Sequence, residues 1–211
     1  MKTKLVLLGG GGHCLSCVEV IKSTDQYEIV GILDREEKMW QSVGGQLIIG
    51  TDADIDRYAA EGCSFLITVG QIKNSFTRHF LYERLREKDY PMPVIIASTA
   101  YHSAISRLRI GCIVMHRAVI NAGAVIGANS IINTGAIVEH GAYIGSNCHL
   151  STGVIVNGDC VIGDDCFIGS GAILAQGVSL PAGTVIGAGS LVLHSLDLPG
   201  IYVGNPINRK I

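Results

Sequence analysis

The 211-residue chain carries a formal charge of −2 and a pI near 6.4. That balance argues against a nucleic-acid partner, which needs a basic stripe. Charged residues at 16% beside hydrophobic residues at 48% argue against a disordered chain, and the length allows one or two domains with a sizeable core.

Lys2 and Lys4 precede an apolar run, Leu5 to Leu8, that is too short for a signal peptide and passes directly into glycines. No apolar run reaches about 18 residues, so no transmembrane helix is expected. The seven cysteines are odd in number and scattered, which argues against disulfides. The chain is therefore expected to be cytoplasmic.

Lys4 to Leu8 reads as a strand, and His13 to Lys22 follows with helical spacing. Cys14 and Cys17 form a CxxC on that helix. With no second CxxC and no clustered histidine, they read as small packing residues rather than a redox or metal pair. Glu28 to Leu33 and Phe65 to Val69 read as strands. Ser75 to Lys88 reads as a helix, and Val94 to Ala97 as a last strand after Pro91 and Pro93. Strands alternating with helices predict an α/β domain with a small parallel sheet over residues 1–97. Residues 98–112 read as a connector.

From Ile113 the chain repeats every six residues. The second position of each hexad is Val, Ile or Leu in all fourteen, from Val114 to Val192. The sixth is small or short, as at Ala118, Ala124, Ser130 and Cys148. The fifth is Gly, Asn or Asp in twelve of fourteen, the residues that best tolerate a left-handed backbone. A helix cannot use a period of six, whereas a short strand plus a corner can. Residues 113–211 are therefore expected to form a parallel β-helix with a C-terminal tail.

These hexads resemble the hexapeptide-repeat acyltransferases. The resemblance implies a left-handed β-helix with three hexads per coil, although parallel connections are usually right-handed. It also implies trimers with acetyl-CoA lying between adjacent helices. A narrower match comes from Gly9-Gly10-Gly11-Gly12-His13, Ile32-Leu33-Asp34, Val69-Gly70 and Val203-Gly204-Asn205-Pro206. Together with the repeats they resemble the PglD/NeuD-type sugar acetyltransferases, in which a Rossmann-like N-terminal domain binds a nucleotide-linked amino sugar.

Glycines between a strand and a helix let backbone N–H groups approach an anion, and a diphosphate is the natural guest. Asp34 stands where a ribose-binding acid stands in a dinucleotide fold, which raises NAD. The GxGxxG fingerprint fails, because its third glycine position holds Cys14. The resemblance assigns Gly11, Gly12, His13, Asp34, Arg35 and Gly70 to the sugar nucleotide. The other reading of Gly9 to Gly12 is a plain tight turn.

N-acetylation needs a base for the attacking amine, and a neutral imidazole suits it. Val138-Glu139-His140-Gly141, with Asn133 upstream, resembles the family's catalytic segment, which makes His140 the candidate base. Some relatives place an acid after this histidine; here Gly141 takes the place. Glu139 is expected to point away from His140 if the strand persists, so the base has no assigned partner. His149, Ser170 and Ala188 match acetyl-CoA-binding positions. His116 and His194 read as structural, and Cys148 and Cys166 as packing.

The function expected is acetyl transfer from acetyl-CoA to a UDP-linked 4-amino sugar for surface glycan synthesis, with no metal. Alternatives are O-acetylation of sialic acid or N-acetylation of a GDP-linked amino sugar. From another class come scaffolds and γ-carbonic anhydrase-like metal sites. His116, His140 and His149 are spaced 24 and 9 residues apart, which does not repeat one coil face.

Overall fold

The computed structural model describes residues 2–72 and 75–210. The chain forms two units, Met1–Ser98 and Thr99–Ile211.

The first unit contains β1 (Thr3–Leu8), α1 (Gly12–Thr24), β2 (Tyr27–Leu33), β3 (Ser42–Val43), β4 (Gln46–Gly50), α2 (Ile55–Ala60), β5 (Ser64–Ile67) and α3 (Phe76–Glu87). Its sheet runs β3-β4-β2-β1-β5. Leu5 to Leu8 are fully buried, as a central parallel strand covered on both faces requires. β1 pairs in parallel with β2 on one side and β5 on the other. The chain thus leaves β1 in opposite directions, and a crevice opens at the carboxyl ends of the strands. α1 covers the sheet with Cys14, Cys17, Val18 and Ile21, at helical spacing.

In this unit the β3–β4 hairpin and α2 escaped the sequence reading. Antiparallel β3 and β4 are joined by Gly44 and Gly45, both at positive φ, as a two-residue hairpin turn requires. α2 follows directly on a short turn, Asp52–Asp54, which Thr51 and Asp54 cap reciprocally.

In the second unit, two-residue strands stack in three parallel ladders. Partners lie 18 residues apart: Ile131 pairs with His149, and His149 with Phe167. The second-position residues from Val114 to Val192 are buried throughout, each contributing roughly 1.5–3 kcal/mol of hydrophobic stabilisation. Every fifth position from Arg117 to Gly189 has positive φ, which explains the Gly, Asn and Asp found there.

The connector reading of 98–112 is corrected. Tyr101–His102 pairs with Val119–Ile120, and Arg107–Leu108 with Val125–Ile126. Gly111 already makes a left-handed corner at φ 71°. The β-helix therefore starts one coil before the apolar repeat. This end coil leaves His102 exposed at an inward-type position, so the aliphatic pattern is not demanded there.

Candidate active site

A cleft of about 1020 Å³ opens at the carboxyl edge of the first unit's sheet. Gly11, Gly12, His13, Asp34, Arg35 and Gly70 all line it. The four glycines do different things. Gly9 sits at φ 104°, and a Cβ there would strike Val69. Gly10 donates its N–H to Asp34 Oδ2 at 2.6 Å. At Gly11 and Gly12 a Cβ would meet nothing within 4 Å, and neither has positive φ. A plain turn explains Gly9 but not these two, whose missing side chains keep the N-terminus of α1 open to the cleft. Such a terminus offers unpaired N–H groups and a partial positive charge to an anion.

Asp34 is a clamp as well as a lining residue. Besides Gly10, it accepts from the Arg35 N–H at 2.7 Å and Lys38 Nζ at 2.9 Å. Burial alone would raise its carboxyl, but Lys38 and the two N–H groups outweigh that and hold it below the ordinary carboxylate value. Arg35 is largely exposed and pairs with Glu37 at 3.1 Å. Thr68 Oγ1 donates to the carbonyls of Leu8 and Gly9. Buried Arg78 donates to those of Ile67 and Val69. These bonds fix the loops that carry the glycines and Gly70.

On the β-helix, His140 stands at a corner after the strand Ile137–Val138. Its side chain is 61% exposed. Glu139 Oε2 lies 3.8 Å from His140 Nδ1. The expectation that Glu139 points away fails because the strand ends at Val138, so alternation no longer governs the next residue. Asn121, one coil earlier, donates to the same Glu139 oxygen at 2.8 Å. An acid thus stands beside His140 from the position before it, where some relatives place one in the position after. Gly141 has φ 67°, a left-handed corner that favours glycine, and a Cβ there would displace the exposed Asp159 carboxylate.

His149, Ser170 and Ala188 lie around a different corner. Ser170 and Ala188 are exposed and stack one coil apart. Ser170 Oγ is 2.9 Å from Ser151 Oγ. His149 is only 6% exposed, and its ring meets Phe167 edge-on at 5.3 Å. Asn133 Oδ1 accepts from the Thr134 N–H, which turns its Nδ2 toward His149 Nε2 at 3.1 Å. That makes Nε2 an acceptor and places the neutral ring's proton on Nδ1.

Residues 4–85 match the PglD N-terminal domain. Residues 117–157 match the hexapeptide repeat of succinyl-transferase, and 141–176 and 159–194 the bacterial transferase hexapeptide (six repeats). No curated protein matches the sequence. Among solved structures, PerB from Caulobacter crescentus in complex with CoA and GDP-perosamine is 30% identical, with 98% of this chain and 97% of that chain covered at a TM-score of 0.91. The chain belongs to the PglD-type sugar acetyltransferases. The acetyltransferase domain of PglB from Neisseria gonorrhoeae FA1090, in complex with acetyl coenzyme A, is 28% identical to this acetyltransferase, with 100% of both chains covered and a TM-score of 0.93. A histidine-to-alanine mutant of the Caulobacter GDP-perosamine N-acetyltransferase, with CoA and GDP-perosamine, is 29% identical, covering 98% and 96% at a TM-score of 0.91.

Within this acetyltransferase the remaining motifs take structural places. Cys14 and Cys17 are buried; burial pushes the Cys14 thiol up to about 11 and Cys17 further. Cys148 and Cys166 are buried, their thiols directed at the carbonyls of Gly163 and Pro181. His116 Nδ1 is 2.8 Å from Thr99 Oγ1. Among the described residues, no three His, Cys, Asp or Glu side chains gather as a metal site. Sequence reasoning missed Lys38 and Asp52 in the cleft. The i,i+4 spacing of Asp34 and Lys38 was the available signal for the first. Asp52, part-buried there, has its carboxyl raised by burial, with Arg84 opposing.

Proposed function

We propose that the enzyme moves the acetyl group of acetyl-CoA to the amine of a nucleotide-linked amino sugar, with His140 as general base. The acceptor is of the UDP-4-amino-4,6-dideoxy-N-acetylhexosamine type, and the product feeds bacterial surface glycan or glycoprotein synthesis in the cytoplasm. The observation that carries the reading is an exposed imidazole whose Nδ1 faces an anchored carboxylate. Glu139 favours the tautomer with the proton on Nδ1, which leaves Nε2 to accept one.

In the reaction, Nε2 takes the amine proton as the nitrogen bonds to the thioester carbonyl carbon. The tetrahedral intermediate then expels the CoA thiolate, which recovers the proton from the imidazolium. The amide and the CoA thiol leave, and the histidine returns neutral. The diphosphate of the sugar nucleotide rests at Gly11 and Gly12, with His13, Asp34, Arg35 and Gly70 around it. The thioester arm runs past Ser170, Ala188 and the His149 edge.

His140 and the Ser170–Ala188 track flank one flat face of the β-helix, whose ladder Val119, Ile137, Ile155, Ile173 and Leu191 is partly exposed. This suits a homotrimer in which one protomer's track faces another's His140. One observation favours a GDP-linked acceptor instead: the 30% identical PerB structure holds GDP-perosamine. Incubating the enzyme with acetyl-CoA and each amino sugar nucleotide, and following free CoA thiol, tests the reading. Release with the UDP-linked sugar alone supports it; release with the GDP-linked sugar alone transfers the assignment.

A further inference from the structure

Fourth-position residues of the hexads are mostly exposed, and Gly158 is the one glycine among the fourteen. It is nevertheless buried, whereas Ala122, His140 and Gln176, which share its column at 18-residue spacing, are exposed. Its backbone gives no reason for glycine, because its φ lies outside the left-handed region. The third-position glycines have another explanation: a Cβ at Gly127 or Gly169 would strike the backbone of the next coil at 2.4 or 2.5 Å. A Cβ at Gly158 would instead meet the imidazole of His140 first: Cε1 at 2.6 Å, Nε2 at 2.7 Å and Cδ2 at 3.3 Å. The glycine is matched to the ring and not to the coil.

We infer that Gly158 is a positioning residue for His140, giving the imidazole a flat bed on the next coil. The inference rests on His140 being the base. The Glu139 carboxylate beside Nδ1 fixes one edge of the ring, and Gly158 lies against the Nε2 and Cε1 side. An alanine methyl would occupy the ring's place. The backbone would not resist it: the Gly177 N–H donates to the Gly158 carbonyl at 2.9 Å, whatever side chain residue 158 carries. An exposed histidine is free to rotate, so the ring gives way and the fold stays.

The test compares Gly158→Ala, His140→Ala and the double variant. Gly158→Ala should lower kcat about 10–100-fold, the scale of an ångström-sized misplacement, with KM for acetyl-CoA and for the UDP-linked 4-amino sugar within twofold. The His140 imidazole C–H resonances should shift. In the His140→Ala background the same change should leave the thermal midpoint unchanged or raised, since the obstacle is gone and alanine restricts the unfolded chain. Wild-type kcat in Gly158→Ala, with His140→Ala inactive, would overturn the inference while sparing the base. So would equal destabilisation by Gly158→Ala in both backgrounds, which would place the need for glycine in the backbone. Full turnover in His140→Ala would overturn the base itself, and the positioning role with it.

Discussion

The Glu139 carboxylate stands 3.8 Å from His140 Nδ1, and the Asn121 amide of the preceding coil holds the same oxygen at 2.8 Å. Two adjacent coils thus meet at one imidazole. Glu139→Gln should lower kcat about tenfold, a share of the ~10²–10⁴ that general-base catalysis contributes. Neither KM should change. Asn121→Ala should act in the same direction and less strongly, because it reaches the ring only through Glu139. Steady-state kinetics on the two variants checks both the direction and the order.

Asp34 ties the glycine loop to the end of β2 through Gly10, Arg35 and Lys38. Asp34→Asn should raise KM for the nucleotide sugar and destabilise the fold by about 1.5–3 kcal/mol at pH 7, the range for hydrogen bonds to a charged group. The sign of the pH dependence follows from the depressed folded-state carboxyl. Its stabilisation is present above the ordinary carboxylate value and is lost as pH falls through the depressed one. Urea unfolding at neutral and acid pH should show the wild-type advantage shrinking in acid.

The cleft beside the glycine loop was legible in the sequence because a glycine run between strand and helix keeps a helix N-terminus open. The β-helix core was legible because each coil between Val114 and Val192 demands an inward aliphatic residue. The first coil was not, since its exposed end relaxes that demand at His102. The β3–β4 hairpin was signalled only by Gly44-Gly45 between very short strands. Glu139 was misjudged because strand alternation was extended past Val138, where the strand stops. Nothing in the sequence singled out Gly158, because the reason for it is the His140 ring of the preceding coil.

His149 is buried against Phe167 and faces Asn133. His149→Ala should therefore act twice. It should lower stability by about 1 kcal/mol or more through the lost edge-to-face contact, and it should raise KM for acetyl-CoA severalfold with kcat largely kept. Thermal unfolding and acetyl-CoA titration separate the two effects.

All seven cysteines are buried, and none is joined in a disulfide. At Cys14 and Cys17, burial holds the thiols protonated at neutral pH, and a thiol reacts as the thiolate. Iodoacetamide at pH 7.5 should label the native protein very slowly and all seven sites after denaturation. Rapid native labelling at Cys14 or Cys17 would contradict their packing role.

The most direct measurement of the central claim is mass spectrometry of the product formed from acetyl-CoA and the UDP-linked 4-amino sugar, with wild type and His140→Ala side by side. The account predicts one acetyl group on the sugar amine with wild type and turnover lower by about 10² or more with His140→Ala. Undiminished acetylation by His140→Ala, or no acetylated product from wild type with either a UDP- or a GDP-linked amino sugar, would contradict it.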